Sequence, residues 1–360
     1  MWNFNAGPAV LPLPALEHAQ RELLDFEGTG MSILEHSHRG KAYEAVHAEC
    51  KALLKEVLAI PEGYTTLFLQ GGASQQFAQV PMNLVPVGKS ADYVITGTWA
   101  EKAYAEAQIV GKARVACTTK ANDTYVRVPE SSEIKVDPDA AYVHITSNNT
   151  IYGTQYHSFP EPGSVPLVAD MSSDILWRPT DVSRFGLIYA GAQKNMGPAG
   201  ITIVIIRNDL LERSRTDGIP KIFRYKTIAG EDSLYNTIPV FAVYFVRNVL
   251  RWVKHEGGLT AMESRNREKG KLLYDTVDAL SGFYQAPVDK GSRSYMNAVF
   301  RLPSEDLEKK FLSAAEKGNM VGLKGHRSVG GVRASMYNAL PVAAVKALTD
   351  LMREFASKNG

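Results

Sequence analysis

Residues 187–206 read LIYAGAQKNMGPAGITIVII, and the fold class follows from this stretch. Two apolar runs, residues 187–190 and 201–206, are typical of buried strands. The segment between them is short and rich in glycine, so it leaves no room for the helix that joins neighbouring parallel strands. We therefore expect these two strands to pair antiparallel.

The sequence before this stretch alternates between short apolar runs and helical patterns. The apolar runs that predict strands are residues 65–69, 92–96, 114–118, 142–146 and 166–169. The helical patterns cover residues 14–26, 42–58, 74–84 and 100–110. Nearly continuous apolar strands that alternate with helices are typical of a mostly parallel sheet covered on both faces. The chain is therefore predicted to be an α/β protein.

The pattern changes in the last third of the chain. A long helix is predicted to end near His255, before Gly257 and Gly258. Further helices are predicted at residues 258–280, 304–317 and 341–356, and strands at residues 296–302 and 333–336. This mixture of helices and a few strands indicates a smaller α+β domain.

Composition excludes several classes of protein. The chain has 360 residues, 45% hydrophobic and 22% charged, which is typical of a soluble protein of about two domains. Its 40 Lys and Arg against 38 Asp and Glu leave a net charge of +2, too small for a nucleic-acid binder. The longest apolar runs are too short to span a membrane, and residues 1–16 do not resemble a signal peptide. The two cysteines, Cys50 and Cys117, lie in no metal-ligand spacing, so we expect no metal site. They also form no framework for disulfides, so we expect the reducing cytoplasm as the location.

Residues 67–75, LFLQGGASQ, join a predicted strand to a predicted helix through two glycines. Glycines let the backbone approach a ligand closely, and the free N–H groups at a helix start bind anions. Ser74 could add a hydroxyl donor to such a site. The alternative is an ordinary strand-to-helix turn in which Ser74 caps the helix.

Asp170 and Lys194 each follow a predicted strand and are 24 residues apart, enough for one return to a neighbouring strand end. A lysine amine can form a Schiff base with an aldehyde cofactor. Pyridoxal phosphate needs such a lysine, an anionic partner for its ring nitrogen and a cradle for its phosphate. Asp170 would keep the ring nitrogen protonated, and Trp99 could stack on the ring. Taken singly, each residue has a simpler alternative. Asp170 could belong to a turn or cap a helix, Lys194 could lie in a surface loop, and Trp99 could be an ordinary core residue.

Two clusters of cations lie far apart in the sequence. Each contains a His-Arg pair beside glycines, His38-Arg39 and His326-Arg327, and Arg333 follows the second pair closely. The planar fork of arginine suits phosphate and carboxylate groups. One such pair alone is explained by a solvated basic loop, but two pairs favour a site for an anionic substrate.

Together these motifs resemble the phosphoserine aminotransferases, pyridoxal-phosphate enzymes of the class-V, fold-type I aminotransferase group. The resemblance rests on residues 4–9 (FNAGPA), 37–39 (SHR), 71–74 (GGAS) and 192–200 (AQKNMGPAG), and it extends over essentially the whole chain. It implies the fold of aspartate aminotransferase: a large cofactor-binding domain over residues 16–257 with a mostly parallel, seven-stranded sheet. Residues 1–15 and 258–360 would form the smaller α+β domain. It further implies a homodimer with active sites at the subunit interface.

The resemblance also implies roles for individual residues. Lys194 would be the Schiff-base lysine, Asp170 the partner of the ring nitrogen and Trp99 the stacking residue. Further cofactor contacts would come from Ala73, Ser74, Thr150 and Gln193, and, across the interface, from Asn236 and Thr237, which otherwise indicate only a helix cap. His38, Arg39, His326 and Arg327 would hold the distal phosphate or carboxylate of the substrate, and Arg333 its α-carboxylate. Ser74 stands where some bacterial members of the family carry an arginine.

The implied reaction is transfer of the amino group of L-glutamate to 3-phosphohydroxypyruvate, giving O-phospho-L-serine and 2-oxoglutarate. A related phosphorylated keto acid of pyridoxal phosphate synthesis, 3-hydroxy-2-oxo-4-phosphonooxybutanoate, is a further expected substrate. Alternatives with the same fold are an alanine–glyoxylate aminotransferase and a cysteine desulfurase. The second is disfavoured because Cys50 lies in a predicted helix and Cys117 in a predicted strand. A non-catalytic binder of phosphorylated metabolites would leave Lys194 and Asp170 without a role.

Overall fold

The structure, a computed structural model, describes residues 1–360. Its ten α-helices are α1 (Leu13–Glu22), α2 (Lys41–Val57), α3 (Gly72–Leu84), α4 (Thr98–Val110), α5 (Asn208–Glu212), α6 (Tyr225–Gly230), α7 (Val240–His255), α8 (Gly258–Ala279), α9 (Glu305–Lys317) and α10 (Val342–Asn359). Its fifteen strands are β1 (Trp2–Asn3), β2 (Tyr64–Leu69), β3 (Ser90–Ile95), β4 (Lys112–Thr118), β5 (Lys120–Ala121), β6 (Thr124–Tyr125), β7 (Val143–Thr146), β8 (Asn148–Asn149), β9 (Thr154–Gln155), β10 (Leu167–Asp170), β11 (Leu187–Gly191), β12 (Thr202–Arg207), β13 (Asn297–Phe300), β14 (Met320–Val321) and β15 (Val332–Ser335).

Seven strands form the central sheet in the order β2-β12-β11-β10-β7-β3-β4. β11 and β12 pair antiparallel, with Gly191 opposite Thr202, as the short glycine-rich segment between them predicts. β12 also runs antiparallel to β2, whereas the other neighbours in the sheet are parallel. The predicted α/β fold with a mostly parallel seven-stranded sheet is confirmed.

Alternate residues of the sheet strands pack into two separate cores. In β12, Ile203 and Ile205 belong to the core that α2 and α7 cover. Val204 and Ile206 belong to the core on the opposite face, which α3 and α4 cover. Successive side chains of a strand point to opposite faces, so a strand buried on both faces needs an unbroken apolar sequence.

The first helix is shorter than predicted, since α1 ends at Glu22 and not at residue 26. The chain instead forms a tight loop in which Glu27, Gly28 and Gly30 have positive φ angles of 49°, 75° and 74°. The Gly30 N–H donates to the Asp25 carboxylate at 2.7 Å, and the Phe26 ring is buried. The loop that buries this ring therefore stands where the last turn of the helix was predicted.

A third core forms what we call the smaller lobe, which contains β1, β13–β15 and α8–α10. It combines Phe4 from the start of the chain with Leu273, Val332 and Leu348 from its last third. β1 pairs with β14, so that Trp2 lies opposite Met320. Both ends of the chain therefore contribute to one core, while the proposed domain division at residues 15/16 and 257/258 stays a prediction.

The longest helix, α8, is amphipathic. It spans 22 residues and buries Leu259, Leu273 and Val277 while many of its other residues are charged. None of the ten helices has both the length and the apolar character that crossing a bilayer requires.

The third core predicts a large loss of stability for Leu348→Ala. Leu348 is 0% exposed on α10, so its truncation removes buried apolar surface and leaves a cavity. We expect the free energy of unfolding to fall by about 2–5 kcal/mol. The control is Ile109→Ala on α4, where the side chain is 78% exposed and the change should stay within about 0.5 kcal/mol. Guanidinium unfolding followed by circular dichroism measures both, and equal shifts would contradict this packing.

Candidate active site

A cleft of about 420 Å³ opens where the parallel strands β7 and β10 end. Ligands of open α/β sheets bind at this edge because loops from neighbouring strands converge there. The cleft contains nine of the predicted site residues, namely Ala73, Ser74, Trp99, Thr150, Asp170, Gln193, Lys194, His326 and Arg333. The first seven come from the part of the chain that forms the sheet, and the last two come from the smaller lobe.

Lys194 lies in the turn that joins β11 to β12. The turn is closed by the Met196 and Gly197 N–H groups, which both donate to the Ala192 carbonyl, at 3.2 and 2.8 Å. The Lys194 Nζ donates to Thr150 Oγ1 at 3.0 Å. Desolvation lowers the pKa of Lys194 to about 8, although the nearby Asp170 carboxylate opposes that shift.

Gly7 closes the cleft over Lys194 from the N-terminal segment. A Cβ atom on Gly7 would lie 3.4 Å from both Cγ and Cε of Lys194. Gly7 has a φ of 140°, which L residues with a side chain rarely adopt. The glycine of the FNAGPA motif therefore lets the backbone approach the lysine stem closely.

Asp170 is the last residue of β10 and is 5% exposed. Its Oδ1 accepts from the Ser172 N–H at 2.9 Å, and its Oδ2 accepts no hydrogen bond from the protein. Burial raises the pKa of Asp170, while the hydrogen bonds from Ser172 and the charge of Lys194 lower it. A buried carboxylate with a free oxygen is suited to a cationic partner from a ligand.

The start of α3 forms a backbone cradle at the side of the cleft. Gly71 precedes the helix with a φ of 83°, and a Cβ there would lie 2.0 Å from Gln75 Oε1. The first N–H groups of the helix, including those of Ala73 and Ser74, have no partner within the helix and are suited to an anion. Ser74 makes no capping hydrogen bond, so the alternative in which it caps this helix is wrong.

Besides Nε of Arg333, two buried polar atoms of residues that line the cleft lack a hydrogen-bond partner. They are the indole Nε1 of Trp99, in the first turn of α4, and Oγ1 of Thr146, the last residue of β7. Buried polar atoms are nearly always paired in folded proteins. Both atoms therefore point to a ligand that the cleft accommodates.

The smaller lobe contributes two cationic side chains to the cleft. The Arg333 Nη1 donates to the Thr150 carbonyl at 3.3 Å, and its buried Nε has no partner. Burial lowers the pKa of Arg333. His326 lies in the hairpin before β15, with Nδ1 at 2.7 Å from Ser328 Oγ. Burial and the charges of Arg333 and Arg327 lower the pKa of His326.

The other predicted site residues do not line this cleft; they are His38, Arg39, Asn236, Thr237 and Arg327. The first four form one group on a different part of the chain. Arg39 Nε donates to His38 Nε2 at 3.3 Å, and Arg39 Nη2 donates to the carbonyl of Leu234, two residues before Asn236, at 3.4 Å. Arg327 is exposed on the same hairpin as His326.

Sequence reasoning missed a buried carboxylate beneath the cleft. Asp174 is 4% exposed, and it accepts hydrogen bonds from Ser147 Oγ and, at 3.1 Å, from Gln155 Nε2. Burial raises the pKa of Asp174 to about 6. Its position four residues after Asp170, in the run DMSSD, is the signal in the sequence that points to it. Thr146 was also missed, because a threonine at a strand end carries no signal of its own.

The model of the family "Aminotransferase class-V" matches residues 1–348. A phosphoserine aminotransferase from Geobacillus kaustophilus is 57% identical over 355 residues, which are 98% of each chain. The chain belongs to the phosphoserine aminotransferase family. A solved phosphoserine aminotransferase from Bacillus circulans subsp. alkalophilus is 53% identical to this family member, with a TM-score of 0.97 and 99% of each chain covered.

Two other solved structures differ in how similar they are to this chain in sequence, and so in whether they show a shared family or only a shared fold. A pyridoxal-phosphate-bound phosphoserine aminotransferase from Trichomonas vaginalis is 38% identical, with a TM-score of 0.92, and the match covers 98% of this chain and 99% of that one. An alanine–glyoxylate aminotransferase from Nostoc is 17% identical with a TM-score of 0.77, and covers 99% of this chain and 95% of that one. The second likeness shows the fold alone.

Pyridoxal phosphate is the cofactor of this aminotransferase. The cleft fits that group in each of its chemical parts. It offers a lysine amine with a lowered pKa, a buried carboxylate with a free oxygen at Asp170, and free backbone donors at the start of α3. The unpaired Trp99 and Thr146 atoms add donors to a ligand that fills the space between them.

The lowered pKa of Lys194 predicts how the protein, stripped of cofactor, takes up pyridoxal phosphate covalently. Only the neutral amine attacks an aldehyde, so protonation of Lys194 below about pH 8 slows attachment. The rate should rise about tenfold per pH unit below this value and level off above it, because the amine is then neutral. Stopped-flow absorption in the visible range measures the rate.

The control for this experiment is Lys194→Ala, which should show no visible band and no cofactor fixed by borohydride. A rate that still climbs between about pH 9 and 10 would instead indicate a lysine with the ordinary pKa of about 10.4.

Proposed function

We propose that this aminotransferase transfers the amino group of L-glutamate to 3-phosphohydroxypyruvate, giving O-phospho-L-serine and 2-oxoglutarate, a step of serine biosynthesis. The observation that carries the proposal is the arrangement of charge in the cleft. Arg333 and His326 of the smaller lobe face the same cavity as Lys194 and Asp170. Both substrates are anionic at both ends and reactive between them, which matches this arrangement. The curated relatives named phosphoserine aminotransferase support it.

Residues on the sheet side of the cleft would hold the cofactor. Lys194 would bind it covalently, Asp170 would pair with its ring nitrogen, and Trp99 would stack on its ring. Thr150 would contact the cofactor beside Lys194, whose Nζ donates to Thr150 Oγ1 at 3.0 Å. The phosphate contacts would come from Ala73, Ser74 and Gln193, and from Asn236 and Thr237 of a neighbouring subunit. The start of α3 supports this part because its free N–H groups favour an anion.

Lys194 would also move the proton of the reaction. When bound, pyridoxal phosphate supplies an aldehyde that accepts an amino group and a protonated ring that withdraws electrons from the substrate Cα. Lys194 takes the proton from Cα and returns it elsewhere on the reacting system, acting as general base and then as general acid. A pKa near the working pH suits both roles, and burial lowers the pKa of Lys194 to about 8. Asp170 would keep the ring nitrogen protonated, because an opposite charge in contact favours the charged form of each group.

The cationic residues would bind the two ends of the substrate. Arg333 takes the α-carboxylate, and the two His-Arg pairs, His38-Arg39 and His326-Arg327, take the distal anion. One pocket serves both substrates because the γ-carboxylate of glutamate and a phosphate ester are both distal anions. The same chemistry extends to 3-hydroxy-2-oxo-4-phosphonooxybutanoate, the related substrate of pyridoxine biosynthesis, which carries the same two anionic groups.

A homodimer would bring the separated residues into the cleft. His38, Arg39, Asn236 and Thr237 lie near one another but outside the cleft of their own chain. The segment that leads to His38 exposes Leu24, at 86%, and also Met31 and Leu34. Exposed apolar side chains beside a polar group are typical of a subunit interface.

Both cysteines are free thiols, which fits the reducing cytoplasm that we propose as the location.

Arg327→Ala tests the distal-anion pocket. Loss of a charge-assisted hydrogen bond should raise the KM for 3-phosphohydroxypyruvate about tenfold or more, with kcat nearly unchanged. Steady-state kinetics with glutamate as donor measures both constants.

Glutamate should support the reaction and alanine should not, because alanine lacks a distal anion. Activity with alanine but not with glutamate, or an unchanged KM in Arg327→Ala, would count against the proposal.

Mixed dimers test whether each cleft takes residues from both subunits. If Arg39 serves the partner's cleft, a dimer of one Lys194→Ala chain and one Arg39→Ala chain keeps one intact site. Unfolding and refolding an equal mixture should then restore about a quarter of the wild-type kcat/KM, since half of the dimers are mixed and each has one good site. The control is each variant refolded alone, and an inactive mixture would place Arg39 in the cleft of its own chain.

A further inference from the structure

The hairpin of residues 325–331 carries His326 and Arg327, and its own hydrogen bonds fix only its internal shape. The Gly325 N–H donates to the Gly331 carbonyl at 2.9 Å, and the Val329 and Gly330 N–H groups donate to the His326 carbonyl at 3.0 and 2.8 Å. These bonds close the hairpin on itself. Main-chain pairing holds the base of the hairpin, where the Arg333 N–H donates to the Leu323 carbonyl at 2.8 Å. The placement of its tip relative to the cleft depends on what lies beneath it.

Arg301, one residue beyond β13, lies beneath this hairpin. Its Nη1 donates to the Val329 carbonyl at 2.8 Å, and its Nε donates to Glu308 Oε1 at 2.6 Å. Glu308 is on α9, and only 8% of its side chain is exposed. The guanidinium is therefore fixed between the helix and the hairpin, and a planar fork with two held edges resists rotation.

The backbone of the hairpin rests on the stem of Arg301. Gly330 and Gly331 have φ angles of 69° and 72°, and a Cβ on Gly331 would lie 2.5 Å from Arg301 Cδ. Gly331 thus allows the chain to lie against the arginine at a distance that no side chain permits, and the positive φ of Gly330 continues the same turn. A cavity of about 550 Å³ separates the hairpin from α9 beside this contact, so the hairpin has room to move if Arg301 is removed.

We propose that Arg301, held by Glu308, is a positioning residue that sets the place of His326 and Arg327 and so determines the affinity for the distal anion. The inference rests on the proposed function, in which this hairpin binds the phosphate or carboxylate end of the substrate. Without Arg301 the hairpin occupies its binding position for a smaller fraction of the time. The apparent affinity falls by that fraction, while the residues around Lys194 are unaffected.

The competing explanation is that Arg301 and Glu308 affect anion binding only through their charges. Glu308 distinguishes this explanation from the positioning role, because the two predict opposite changes in the affinity for the anion when its carboxylate is removed. Removing the negative charge of Glu308 should strengthen the binding of an anion if only the electric field matters. Removing the carboxylate should weaken binding if its role is to hold Arg301, since the guanidinium loses one of its two fixed edges.

The experiment compares Arg301→Ala, Glu308→Ala and Glu308→Gln in the holoenzyme. We expect the KM for 3-phosphohydroxypyruvate and for glutamate to rise about three- to tenfold in both alanine variants, with kcat within a factor of about two. Glu308→Gln retains an acceptor for Arg301 and should stay near wild type. The visible absorption spectrum of the bound cofactor should be the same in all three, because nothing near Lys194 changes.

The matched control is Arg207→Ala, which breaks another Arg–carboxylate pair, with Asp209, at the far end of β12 from the cleft. Its arginine is 37% exposed, against 40% for Arg301, and it should leave both constants unchanged. If Arg301→Ala fails to fold, Arg301→Lys replaces it: the charge is kept, but the single nitrogen of lysine on its flexible stem lacks the rigid planar fork whose two edges contact Val329 and Glu308, so the KM still rises.

A lower KM in Glu308→Ala, or a KM restored fully by Arg301→Lys, would overturn the positioning role in favour of charge alone. A fall in kcat together with an altered cofactor spectrum would overturn it in favour of a general structural defect. If Arg327→Ala raises the KM and these variants do not, only this inference fails. If Arg327→Ala also has no effect, the proposed function of the hairpin fails first.

Discussion

The burial of a lysine amine and an aspartate carboxylate in one poorly solvated cleft is the constraint on which the rest of the structure depends. Burial disfavours the charged form of each group, so it lowers the pKa of Lys194 and raises that of Asp170, while each charge partly offsets the shift of the other. The sheet produces this geometry. β10 and β11 are adjacent and in register with Asp170 opposite Tyr189, and the antiparallel return of β12 turns the chain back just beyond Lys194.

A second buried lysine helps to connect the smaller lobe to the turn that carries Lys194. Lys269 of α8 is 0% exposed, and its Nζ donates to the carbonyls of Met336 and Tyr337 at 2.8 Å and of Leu340 at 3.1 Å. The segment it holds follows the strand of Arg333, and within it the Asn338 N–H donates to Asn195 Oδ1 at 2.9 Å. Burial lowers the pKa of Lys269 to about 7. The three carbonyls satisfy all three donors of an ammonium, so they explain how a cation without a carboxylate partner is accommodated there.

The parts that could be predicted from sequence are those that local patterns determine. The strands of the sheet follow from unbroken apolar runs, and the antiparallel pair from the length of the segment around Lys194. Motif resemblance added Thr150 and Gln193, which no periodicity indicates. The end of α1 could not be predicted, because burial of Phe26 competes with the helix only in the folded chain. The support of the hairpin by Arg301 joins distant elements, so local patterns contain no signal for it.

Net charge and local charge lead to different conclusions about ligands in this protein. A net charge of +2 shows that the chain has almost no overall excess of basic residues, yet it conceals which cations are free. Arg247 is buried among Glu22, Glu27 and Glu49, and Arg301 is paired with Glu308, so carboxylates of the protein already balance both charges. Arg333, by contrast, donates only to the Thr150 carbonyl and keeps a buried Nε without a partner. A buried guanidinium without a carboxylate is costly unless an anion completes it. The pairing of individual arginines, which only the structure shows, is therefore what distinguishes the cations that support the fold from those that are available to a substrate.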